Sequence, residues 1–272
     1  MGSVLLTGTI LVILSTCYTN GLELTDLYPY GTEHGDTMRT GYNSLPTVPL
    51  LAPIDNLLAF GPAGLTATRY SINYDGYLRL HNDGSDSILL NLFYLGDGDF
   101  DNTKIYGRTT ADPGLMNRAM DQINEAFPYT FCSTSPPTQL IVGTWIDYLK
   151  FGSNPGSNFQ AIVVTNGSIT FGIALYVDVS IASAETTGIE SYINSVTTVV
   201  DYSLFPFGTT VMGAPSMMLN SNIPGTYIFS LNDIPPPDPC SSVCYSCKPR
   251  LFQLACEIRR SNGENVPASC NN

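Results

Sequence analysis

Asp97, Asp99 and Asp101 alternate along residues 95–104, LGDGDFDNTK. Carboxylates at every second position are what a Ca²⁺ loop uses. An EF-hand counted from Asp97 would need Gly at its sixth position and Glu at its twelfth. Asn102 and Arg108 stand there, and no helix pattern precedes the stretch, so an EF-hand is excluded. Two readings stay open: a looser carboxylate-lined Ca²⁺ site, and a solvated turn between strands. No other cofactor is implied.

Cys244 and Cys247 form a C-x-x-C pair. A redox dithiol would need a βαβ setting and a helix N-terminus to lower the thiol pKa. A zinc site would need further paired Cys or His ligands, and both histidines, His34 and His81, lie far from this pair. Structural disulfides fit better. Asp26, Asp36, Asp75 and Asp83 flank loops without the spacing that pairs carboxylates for acid–base work. No G-x-S-x-G elbow, H-E-x-x-H helix or Walker loop occurs. Asn166-Gly167-Ser168 is an N-glycosylation sequon. It is also the Asn-Gly signal of a hairpin tip.

The bulk numbers narrow the class. A chain of 272 residues with 43% hydrophobic and only 12% charged residues is globular and turn-rich rather than disordered. A net charge of −12 leaves no basic patch to displace counterions, which excludes a nucleic-acid partner. Val4–Leu14 is an apolar run of export-signal length followed by small and polar residues. It is shorter than the roughly 20 residues of a membrane span, and no later stretch suggests a transmembrane segment. Cleavage after Cys17 or Gly21 fits the small-residue rule. Loss of Cys17 leaves Cys132, Cys240, Cys244, Cys247, Cys256 and Cys270. An even set in an oxidising compartment reads as disulfides, with 15 pairings open among six cysteines.

These residues need a scaffold, and the pattern is mainly β. Ala161–Thr165 and Ile169–Tyr176 are β-branched and aromatic runs on either side of Asn166-Gly167, which predicts a hairpin with a type I′ turn. Further strands are expected at 66–73, 77–80, 87–94, 104–108, 139–145, 195–202 and 225–231. The Pro-rich 44–53 reads as an edge or linker, and 181–193 is ambiguous. One helix stands out: Asp112 as N-cap, Pro113 at the first helical position, and Leu115, Met116, Ala119, Met120, Ile123 and Phe127 on one face. The sum is an antiparallel β-sandwich or barrel-like body with one crossover helix. Pro235–Pro237 and Pro239 mark a stiff spacer before a short Cys-rich tail.

Several motifs in order then carry a resemblance. They are Leu27–Gly31 with Gly35-Asp36, Ile72–Leu80, Phe93–Asp99, Ile105–Arg108, Trp145 and Asp147 before Asn158-Phe159-Gln160, and Ser221–Gly225 with Tyr227 and Phe229. Together they resemble the nidogen-like extracellular (NIDO) domain found in nidogen, alpha-tectorin and some membrane mucins. The segment 183–218 departs from that family's Ala/Gly-rich pattern. The expected organisation is a signal peptide over 1–21, a NIDO-like β domain over 27–233, a Pro-rich linker over 234–239 and a Cys-rich tail over 240–272.

The resemblance implies a secreted, non-enzymatic matrix or cell–matrix adhesion protein that binds extracellular matrix or cell-surface proteins. A self-assembling component of an acellular matrix, as a disulfide-linked or self-associated oligomer, is the alternative. A secreted hydrolase would require a catalytic constellation to converge from distant loops.

Overall fold

The computed structural model describes residues 21–57, 64–94, 100–127, 130–131, 135–149, 155–180, 186–200 and 211–232. Twelve strands in these residues build two six-stranded antiparallel sheets. They are β1 (Thr37–Thr40), β2 (Val48–Leu57), β3 (Leu65–Ile72), β4 (Tyr77–His81), β5 (Ser87–Tyr94), β6 (Lys104–Thr110), β7 (Gln139–Tyr148), β8 (Ser157–Thr165), β9 (Thr170–Asp178), β10 (Thr186–Ile193), β11 (Val196–Val200) and β12 (Thr226–Ser230). One sheet runs β1-β6-β7-β8-β9-β12 and the other β11-β10-β5-β4-β3-β2. The sheets stack as a sandwich and do not close into a barrel.

Three layers result. Ile72, Leu78, Leu80 and Leu90 of the second sheet meet Trp145, Phe159, Val163 and Phe229 of the first across the sandwich core. The other face of the first sheet packs under helix α1 (Pro113–Ala126) and the N-terminal segment, through Leu27, Tyr28, Ala119 and Ile123 against Leu140, Ile162 and Phe171. A strand covered on both faces need not alternate. That is why every residue of β8 is buried.

Helix α1 forms as its sequence demands: the Asp112 carboxylate accepts from the Leu115 N–H at 2.9 Å, and Pro113 costs no hydrogen bond at the first turn. Aromatic side chains bolt the sheets together by their polar tips. Trp145 Nε1 donates to the Asn73 carbonyl at 2.8 Å, Tyr148 to that of Phe93 at 2.8 Å, and Tyr176 to that of Leu92 at 2.7 Å. Between them Trp145 stacks on Phe159, centroids 5.0 Å apart.

One local reading is corrected. The tip at Asn166-Gly167 is not a two-residue type I′ turn. Thr165 pairs with Thr170, so four residues make the loop, and of the Asn-Gly pair only Gly167 has positive φ. Asn166 instead closes the loop with its side chain, its Oδ1 accepting from the N–H groups of Ser168 (3.0 Å) and Ile169 (2.8 Å). This Asx geometry satisfies the loop donors without a left-handed Asn. The hairpin whose two central residues both have positive φ is β10–β11, at Asn194 (53°) and Ser195 (64°). The Pro-rich 44–53 takes the edge position its prolines suit. Residues 48–57 are a full strand, β2, at the sheet edge, irregular in register against β3.

Three outer strands carry their own protection against further pairing. Pro49 and Pro53 remove donors from β2. On β1, the Gly41 N–H to Thr103 carbonyl bond sets the alternation that turns Met38 and Thr40 outward. Their carbonyls are taken by Arg39 and Asn43 side chains. On β12, Ile228 donates its N–H to Leu219 and accepts from Asn220 Nδ2.

Candidate functional site

The polar residues of the sequence motifs converge where the N-terminal segment crosses the outer face of the β6–β9 sheet. Asp36 follows the short 3₁₀ turn Thr32–His34, and Arg108 points up from the middle of β6. Arg108 Nη1 donates to Asp36 Oδ1 at 2.5 Å, and Nη2 to the Pro29 carbonyl at 2.7 Å. The second Asp36 oxygen accepts the Gly31 N–H at 2.7 Å. The side chains are 1% (Asp36) and 9% (Arg108) exposed. The added hydrogen bonds to the Pro29 carbonyl and from the Gly31 N–H offset part of the cost of burying such a pair.

Two strands further in, Gln160 is wholly buried on β8 and mimics a β partner for Tyr28. Its Oε1 accepts the Tyr28 N–H at 2.8 Å while Nε2 donates to the Tyr28 carbonyl at 2.9 Å and to Thr144 Oγ1 at 2.7 Å. The Tyr28 hydroxyl reaches Gln122 of α1 at 2.7 Å, and the Arg118 guanidinium lies 4.1 Å over its ring. Burial pushes the Tyr28 phenol up, partly offset by Arg118. Arg118 also donates to the carbonyls of Leu27 and Asp26. At the strand ends, Asn158 binds both Asp178 oxygens through Nδ2 and accepts the Asp147 N–H at 3.0 Å. Asp178 is raised above the ordinary carboxylate range by burial, against the hydrogen bonds from Asn158.

Two further shifted groups stand apart from this cluster. Burial raises Asp75, in the β3–β4 turn, to about 6, and lowers His81 at the end of β4. Among the described residues no three His, Cys, Asp or Glu side chains gather as metal ligands, and no helix is long and apolar enough to cross a membrane.

Of the residues the sequence singles out, Asp101 is exposed in the turn before β6, while Asp97 and Asp99 lie outside the described residues. So do Cys132, Cys240, Cys244, Cys247, Cys256 and Cys270. Asn166 sits at the β8–β9 tip, its Nδ2 also donating to the Ser135 carbonyl. Sequence reasoning placed Asp36, Arg108 and Gln160 in three separate motifs and missed that two of those motifs grip the third. The available signal was only that Asp36, Arg108 and Gln160 each fall inside a motif of the same family resemblance.

The architecture is thus a two-sheet sandwich whose interior polar residues fasten backbone to backbone. Comparison with known proteins gives it a family. The nidogen-like domain matches residues 92–233, a little over half of the chain. The chain belongs to that family. Alpha-tectorin of Mus musculus is 30% identical over 88 residues, a stretch covering 31% of this chain and 4% of that protein. The chain therefore spans only a small fraction of that relative's length. No solved structure matches. The family fits an extracellular role. The matched stretch supplies β6–β12 and α1, whereas residues before it contribute β1 to one sheet and β2–β4 to the other.

Proposed function

We propose that the chain is a secreted, non-catalytic module of the extracellular matrix or of cell–matrix adhesion, which binds other extracellular proteins through its nidogen-like sandwich. The observation that carries this reading is the use the motif residues are put to. Asp36, Arg108 and Gln160 are consumed in holding one backbone segment to another. Such fastening suits a rigid body that presents its loops to partners. The stretch shared with alpha-tectorin supports a matrix destination. In this reading residues 1–21 are removed on export, 27–233 form the presenting body, 234–239 are a spacer, and 240–272 are a disulfide-linked tail.

The test is the fate of the full chain secreted by cultured cells. Retention in the detergent-insoluble matrix fraction, and cell attachment to surfaces coated with the chain, are expected. Accumulation in the medium without attachment would overturn the proposal. Self-assembly in an acellular matrix is the second reading, favoured by the alpha-tectorin likeness. Size-exclusion chromatography with and without reductant separates them: a monomer in both supports the binder, and reductant-sensitive multimers support assembly.

A further inference from the structure

Large apolar side chains stand uncovered at one end of the sandwich, where β12 begins. Met212 is 53% exposed, Met218 44%, Ile223 41% and Met217 39%. They are neighbours. The Gly225 N–H donates to the Met217 carbonyl at 2.7 Å, and Leu22 packs at Gly225. The 3₁₀ turn Val211–Ser216 holds the methionines in place, Tyr227 donating to its Ala214 carbonyl at 3.0 Å. Exposed methionine-rich surface is adaptable and marks a docking face when it gathers.

The rim of this patch is acidic. Glu23 follows Leu22, which packs at Gly225, and Glu125 of α1 accepts from Asn222 at 3.3 Å, next to Ile223. Arg118, on the same helix as Glu125, is already committed to the carbonyls of Asp26 and Leu27 and to the Tyr28 ring. An occupant must therefore be apolar on one side and basic at its margins.

The chain carries such a segment outside the described residues. Four of its 11 Lys and Arg residues fall in 248–260, KPRLFQLACEIRR. Leu251, Leu254, Ala255 and Ile258 recur at the i, i+3, i+4, i+7 spacing of a helical stripe, with Arg250 and Arg259 on its two flanks. We infer that residues 248–260 dock in cis on the Met212–Met218–Ile223 patch, stripe to methionines and arginines to the acidic rim. The tether allows it. Residues 233–247 span up to about 50 Å when extended, and Asn232 lies only about 25 Å along β12 from Gly225. An attached segment needs only modest intrinsic affinity to stay bound. The surface thereby tethered is one that a free extracellular partner would have to compete for.

Photo-cross-linking of the full chain tests this. With Phe252→p-benzoylphenylalanine, irradiation at high dilution is expected to give intramolecular cross-links within 211–225, on Met217 or Met218 first, because benzophenone prefers methionine C–H bonds. Cross-links elsewhere in the chain, or only between chains, would overturn the inference. Adding Met212→Lys with Ile223→Lys, both exposed and therefore tolerant of change and neither the expected cross-link acceptor, should cut the yield roughly tenfold, the loss that follows from about 1.4 kcal/mol. Arg250→Glu with Arg259→Glu should do the same. A yield unchanged in both pairs sinks the proposal.

Discussion

Asp36 and Arg108 are separated by 72 residues in sequence and by 2.5 Å in the fold, and each binds a second backbone group of residues 29–31. The pair is a fastener between the N-terminal segment and the middle of β6. Removing one member leaves the other charged and buried, which is far worse than removing both. Arg108→Leu is expected to cost about 3–5 kcal/mol, and Asp36→Asn combined with Arg108→Leu much less. Arg108→Lys should fall between, since an ammonium cannot span Asp36 and Pro29 as the planar fork does. Urea unfolding of the three variants checks the order; equal losses in the single and double variants would deny the coupling.

Gln160 makes a narrower claim. Its amide satisfies both backbone groups of Tyr28 from a position with no exposure. Gln160→Leu keeps the volume and orphans a buried donor and acceptor, at about 1–3 kcal/mol for each group. Hydrogen exchange at the Tyr28 amide should accelerate well beyond the change in global stability. Exchange that merely tracks global unfolding would show that the segment is held by other contacts.

The acids raised by burial give a pH dependence of definite sign. Asp75, at about 6 in the fold against 3.8 as the ordinary value, binds its proton more tightly folded than unfolded. Between those values the folded state carries more protons, so stability falls as pH rises from about 4 to about 6, and the penalty persists above. Asp178 is shifted in the same direction. Asp75 is only partly buried, and after solvent screening the effect should stay below about 1 kcal/mol. Asp75→Asn should therefore stabilise at pH 8 and be neutral near pH 3. Melting curves at the two pH values test it, and a benefit at pH 3 alone would reverse the sign.

What the sequence made legible follows the reach of each signal. Ser87–Tyr94, the helix from Pro113 and the apolar runs of β8 and β9 were readable because their periodicity and caps are local. The four-residue strand β1 was not. Thr37–Thr40 is exposed throughout and owes its strand state to pairing with β6. The Asn166-Gly167 tip was located correctly but assigned the wrong turn, since the Asn side chain closed the loop in place of its backbone. The fastening cluster was legible only as separate motifs. Contacts over 72 and 132 residues leave no periodic trace in one sequence.

Gly172 tests the core from the cross-strand side. It pairs with Phe229 across β9–β12, and a methyl group at 172 would run into that ring. The glycine thus gives the ring its berth. Gly172→Ala is expected to destabilise by about 1–3 kcal/mol through overpacking, and Phe229→Leu in the same chain should recover part of the loss. A double variant less stable than the sum of the singles would contradict this steric account.

The sequon can be tested without disturbing its loop. We propose that Asn166 carries a glycan. Asn166 closes the loop through Oδ1, which accepts the backbone N–H groups of Ser168 and Ile169, so the Ser168 hydroxyl is not needed for the turn. Ser168→Ala therefore removes the acceptor signal and keeps the loop, whereas Asn166→Ala removes both. With the chain secreted from a glycosylating host, enzymatic deglycosylation should shift the mass of the natural chain and leave Ser168→Ala unchanged. Ser168→Ala should melt within about 0.5 kcal/mol of the deglycosylated natural chain, the range of ordinary surface changes. Asn166→Ala should lose about 1 kcal/mol more, as loss of a comparable side-chain cap does. No mass shift in the natural chain would leave Asn166 with its turn role only, and equal stability of the two variants would remove that role as well.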